Sequence, residues 1–84
     1  MDVGDLEIHY PVRWQYTLFG RDEGALRAAI DAVLAGRDVT VDLSKRSTRG
    51  TYLSLSVELV VRDEDDRTGI WRALAARAEV LYVV

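Results

Sequence analysis

The stretch VTVDLSKRSTRGTYLSLSVELVV, residues 39–61, decides the fold, because it reads as two strands joined by a turn whose register fixes the side-chain faces. Val39, Val41 and Leu43 alternate with Asp38, Thr40, Asp42 and Ser44; Leu53, Leu55, Val57, Leu59 and Val61 alternate with Tyr52, Ser54, Ser56, Glu58 and Val60. A period of two with one apolar face is the pattern of a half-buried antiparallel strand. Between the strands, Ser47 is a favoured first turn residue and Gly50 can take a positive φ without a Cβ clash. Pairing Ser47 with Gly50 would set Leu43 against Ser54 and Val41 against Ser56, mixing apolar with polar. A type I turn with Gly50 left-handed in a bulge pairs Ser47 with Thr51 instead. Leu43 then opposes Leu55, Val41 opposes Val57 and Val39 opposes Leu59. Because a one-residue slip exchanges the two faces, the second closure is the expected one. On the polar face it sets Arg46 against Tyr52, Ser44 against Ser54, Asp42 against Ser56 and Thr40 against Glu58.

Working outward from the hairpin, Val12, Trp14, Tyr16 and Leu18 alternate with Arg13, Gln15, Thr17 and Phe19, which predicts a first strand. Asp22 is a suitable N-cap for a helix through about Ala35, whose Leu26, Ala29, Ile30, Val33 and Leu34 recur at helical spacing. Glu23 suits the positive end of its dipole, and Gly36 the position just past its last turn. Asp63 to Asp66 open a second helix with Ile70, Ala73, Leu74 and Arg77 on its packed side, and Val80 to Val84 form a short last strand. Trp71 lies off that side and is expected to cover the end of the last strand. The order strand, helix, strand, strand, helix, strand with right-handed crossovers gives an α+β, ferredoxin-like βαββαβ domain. Its four-stranded antiparallel sheet carries both helices on one face and leaves the other open. Residues 1–10 form a loose lead-in and residues 11–84 the single domain.

Composition narrows the functional classes. The chain of 84 residues is 49% hydrophobic and 30% charged, a globular balance in one small core. No apolar run has the length of a membrane span, and the acidic start from Met1 to Asp5 is unlike a secretory signal. With no cysteine there is no disulfide framework, thiol nucleophile or thiolate metal site, and the expected location is the cytoplasm. A net charge of −3 argues against nucleic acid as a partner, since phosphate contacts need a concentrated positive surface.

Several motifs together resemble a known group. Pro11 before the first strand, the segment Ser47-Thr48-Arg49-Gly50-Thr51-Tyr52-Leu53-Ser54, the run Ile70-Trp71-Arg72-Ala73-Leu74 and the closing Glu79-Val80-Leu81-Tyr82-Val83-Val84 resemble the YbeD-like family of small bacterial proteins of unknown function. The family pattern is a Ser-x-x-Gly-x-Tyr-x-Ser hairpin, an aromatic in the second helix and a valine-rich last strand. Here Ser47, Gly50, Tyr52, Ser54 and Val80 match it, with Trp71 where tyrosine is usual. The resemblance implies a fold similar to the ACT regulatory domains that sense amino acids, and therefore a small regulatory or ligand-sensing protein. It brings no catalytic residues with it.

The polar residues have plain structural explanations to weigh first. His9, the only histidine, lies in the lead-in without evident partners for a base or metal site. The run Asp63-Glu64-Asp65-Asp66 lacks the spaced ligands and glycine of a calcium loop and suits a helix start. Arg49-Gly50 mimics the opening of an RNA-recognition strand, but the aromatics that module needs would fall at Thr51 and Leu53. Ser54 and Ser56 are expected to be solvated, as a sheet face toward water is polar. The expected function is a non-enzymatic regulatory or protein-interaction module with no cofactor and no metal. Its candidate face comprises Arg13, Gln15, Arg46, Arg49, Tyr52, Ser54 and Ser56, contacting another protein or a second copy of the chain. Pairing at the edge of the second or last strand is a related route. The alternative is an ACT-like sensor of an amino acid or small carboxylate, bound near the Gly20 to Gly24 turn or the basic hairpin of Lys45, Arg46 and Arg49.

Overall fold

Alternation and helical spacing translate directly into elements. A computed structural model describes residues 8–47 and 49–84. Its elements are β1 (Val12–Gly20), α1 (Glu23–Leu34), β2 (Thr40–Arg46), β3 (Leu53–Val61), α2 (Glu64–Ala75) and β4 (Tyr82–Val83). The four strands form one antiparallel sheet in the order β2-β3-β1-β4, the ferredoxin-like arrangement. Both helices start on an aspartate: Asp22 accepts from the Ala25 amide and Asp63 from the Asp66 amide, each at 2.7 Å. Each cap satisfies an N–H that the helix itself leaves without a partner. α1 ends before Gly36, whose φ of 80° is the left-handed value expected of a helix terminator.

The core lies between the helices and one sheet face. Leu18 of β1, Leu55 and Val57 of β3, Leu26 and Ala29 of α1 and Leu74 of α2 are fully buried. Burying each of the larger ones removes apolar surface worth about 1.5–3 kcal/mol. Gly20 is required by this packing, because a Cβ there would stand 2.7 Å from Leu26 Cδ2 and 3.0 Å from the Glu79 carbonyl oxygen. Among the described residues, no helix is long and apolar enough to cross a membrane.

Four expectations are corrected. The hairpin does not hold one register: Leu43 opposes Leu55 as expected, but a bulge follows, and Lys45 opposes Ser54 while Arg46 opposes Leu53. One extra residue in β2 shifts parity, so Lys45 takes the open face and Arg46 turns toward the helices. The backbone closure is accordingly Ser47 N–H to the Tyr52 carbonyl at 2.9 Å, with the Ser47 hydroxyl accepting from Thr51 N–H at 3.0 Å. Gly50 has the left-handed φ of 68° and donates to the Ser47 carbonyl, as the turn requires.

Leu43, although on the helix side, is 44% exposed, since β2 is the outermost strand and the helices pack on β1, β3 and β4. In α2, Ala73 is exposed and Arg77 lies past the helix end, paired with Glu79 at 3.0 Å, so Ile70 and Leu74 alone anchor it to the core. Residues 1–7 of the expected lead-in lie outside the described residues. Tyr10 is not loose, for it packs against the core and its hydroxyl accepts from Arg67 Nε at 2.8 Å.

Candidate binding site on the open sheet face

The bulge aligns one side chain from each strand in a row across the open face: Lys45, Ser54, Phe19 and Tyr82. The outer pair of this row stacks, with the Phe19 and Tyr82 ring centroids 4.4 Å apart and their planes 16° from parallel. Ser54 stands between Phe19 and Lys45 and is only 3% exposed, which corrects its expected solvated state. Its two neighbours are far longer than it is, so they wall it in. A short side chain between tall ones leaves a notch, and there the structure has a cavity of about 160 Å³. Lys45, Ser47, Tyr52, Ser54, Phe19 and Tyr82 line it, with Leu53.

Farther along the face the residues pair with one another. Arg13 Nε donates to Glu58 Oε1 at 3.0 Å, and Gln15 Nε2 donates to Ser56 Oγ at 3.3 Å. Of the candidate face read from sequence, Arg13, Gln15 and Ser56 share this region, while Tyr52 and Ser54 belong to the cavity. Arg46 does not belong to the face: its guanidinium pairs with Glu23 Oε1 at 3.1 Å, at the first turn of α1. Arg49 is exposed in the turn and does not line the cavity. Phe19 and Tyr82 were missed as site residues. Their signal was parity, since Phe19 shares the face of Arg13 and Gln15, and Tyr82 alternates with inward Val83.

A larger cleft of about 310 Å³ lies on the helix side, lined by Trp14, Tyr16, Arg67, Thr68, Trp71 and Val84. Its polar groups are already engaged. The Tyr16 hydroxyl donates to the Arg67 carbonyl at 2.6 Å, and burial pushes that phenol up to about 12. The Arg67 guanidinium, bonded to Tyr10, lies 4.8 Å over the Trp14 ring, a cation–π contact. Thr68 donates to the Glu64 carbonyl at 3.0 Å, and Trp71 Nε1 to the Val83 carbonyl at 3.3 Å, covering β4 as expected. This cleft reads as packing around the α2 contact with β1. The acidic run is likewise structural: Asp63 caps α2 and Asp66 binds Arg37 through both nitrogens at 3.0 and 2.9 Å.

Fold and face together define a small ferredoxin-like α+β domain with one sheet surface uncovered by its helices. The chain belongs to the family described as "Protein of unknown function (DUF493)", which it matches over residues 5–84, and this places it in the YbeD-like group its motifs resemble. Two solution structures of the protein HP0495 from Helicobacter pylori share the fold. One superposes with a TM-score of 0.83 at 19% identity, covering 99% of this chain and 91% of that one. The other gives 0.66 at 15% identity, covering 98% and 100%. No curated protein matches the chain.

Proposed function

We propose that this domain is a non-enzymatic interaction module, and that the open sheet face is the surface it presents to another protein or to a second copy of itself. The observation that supports this is the exposure of aromatic side chains where a merely solvated face would be polar. Tyr52 and Tyr82 are 50% and 53% exposed at the hairpin end of the sheet, and Val60 is 44% exposed toward the other end. Between them lies the paired polar strip of Arg13, Glu58, Gln15 and Ser56. Exposed aromatics at one end of the face and an arginine toward the other are residue types enriched in protein contact surfaces over average solvent-facing sheet.

Sedimentation of the full chain over a hundredfold concentration range tests the reading with a second copy as occupant. A concentration-dependent dimer is expected. Gln15→Arg places a long cation mid-face, where it should return the chain to monomer while leaving Tm nearly unchanged, since exposed substitutions away from special features cost under about 0.5 kcal/mol. A dimer that Gln15→Arg leaves intact would remove the face from the contact.

A further inference from the structure

We propose that the notch above Ser54 is a binding site for a small monocarboxylate with a flat apolar body. The claim goes beyond the contact role of the face, because it concerns a notch of small-molecule size and needs no protein partner.

Three features select that chemistry. The first is charge. Among the described residues Lys45 enters none of the ion pairs, whereas Arg46 is drawn away to Glu23 and Arg13 is held by Glu58. The cavity therefore carries a single cation. That balances a monoanion and leaves the second charge of a phosphate without a partner.

The second is shape. The stacked rings of Phe19 and Tyr82 make a flat wall on the opposite side of Ser54 from Lys45. A planar group lying against that wall gains ring contact beyond its buried area.

The third is size. At about 160 Å³ the space is well below the roughly 300–1,000 Å³ of sites for drug-sized molecules. A carboxylate directed at the Lys45 ammonium and the Ser54 hydroxyl, with one ring on the aromatic wall, fits these limits. The sheet supplies all four groups from strands paired in register, so their spacing is set before any ligand arrives.

The test is titration of the full chain, followed in its amide ¹H–¹⁵N spectrum, with benzoate, benzamide, acetate and inorganic phosphate. Benzoate should give saturable shifts centred on Phe19, Lys45 and Ser54 with Kd on the order of 1 mM, the affinity open to so small a ligand. Benzamide lacks the charge and acetate the ring, and each should bind about tenfold or more weakly, as should phosphate. Lys45→Gln should erase the preference for benzoate over benzamide, and Lys45→Arg should retain most of it. Tyr82 is 53% exposed, so Tyr82→Leu gives a second folded variant, with weakened binding of benzoate and no change for acetate. Equal shifts from benzoate and benzamide, shifts centred elsewhere, or none at tens of millimolar would each overturn the site. Sedimentation of the same samples reports the protein contact separately, so either idea can fail alone.

Discussion

At the scale of single residues, Asp66 shows how a charge run that invites a metal reading is consumed by structure. Its carboxylate accepts two bonds from Arg37 and one from the Arg62 amide at 2.9 Å, and its side chain is 9% exposed. The Arg37 hydrogen bonds, partly opposed by burial, hold the carboxyl well below the usual carboxylate range, with the Arg62 amide adding to them. A depressed folded-state pKa means that the stabilisation is fully present above the unfolded value near 4 and is lost as pH falls below it. Asp66→Asn should therefore cost about 2 kcal/mol at neutral pH, the range for hydrogen bonds to a charged group. It should also flatten the decline of stability from pH 4 downward. Urea midpoints measured across that interval check both points; a variant with the parent's acid slope would show that another carboxylate carries the linkage.

At the scale of elements, the hairpin that decides the fold also contains the one irregularity that builds the site. Val41 against Val57 and Leu43 against Leu55 were legible because a one-residue slip would bury serines. The shift beyond Leu43 was not, because the alternation of both strands is compatible with one register throughout, and a bulge joining two registers is set by pairing across the strands. A signal was nevertheless present: Lys45 and Arg46 are adjacent cations, and only one of two neighbouring strand residues can face the acidic start of α1 at Glu23. The burial of Ser54 is not legible for the same reason, since it depends on Lys45 arriving beside it. The helices were easier to read. Their aspartate caps and apolar spacing act within a few residues, whereas the bulge depends on pairing across strands. Deleting Ser44 should make the ladder regular while keeping Lys45 opposite Ser54, at a cost under about 1 kcal/mol. Cross-strand nuclear Overhauser contacts between residues 45 and 54 would report the pairing. Their loss in the deletion variant would show that Ser44 is not the extra residue and that the register is set from the turn.

At the scale of the molecule, the same sheet offers two surfaces for association, its open face and its outer strand edge. Hydrogen exchange can separate them. β1 and β3 pair with each other along their length, β3 also with β2 from Leu53 to Glu58 and β1 with β4 at Leu18 and Phe19, and the helix-facing side chains of β3 are all buried. The amides bonded within these ladders should exchange only with global unfolding, which sets the highest protection a domain can show. β2 is an edge strand with most of its side chains exposed, and among the described residues one side of its backbone has no neighbour in the sheet. An uncovered edge of that kind is a template for pairing with another chain. If copies meet through the open face, the outward-pointing β2 amides should exchange fast at every protein concentration, while amides near Gln15 and Ser56 slow as dimer accumulates. If they meet through the edge, the outward β2 amides should gain protection with concentration and Gln15→Arg should leave association unchanged. The face is the expected outcome, because β2 presents Asp42, Ser44 and Lys45 to solvent, and charged edges resist strand addition, whereas the hairpin end of the face presents Tyr52 and Tyr82.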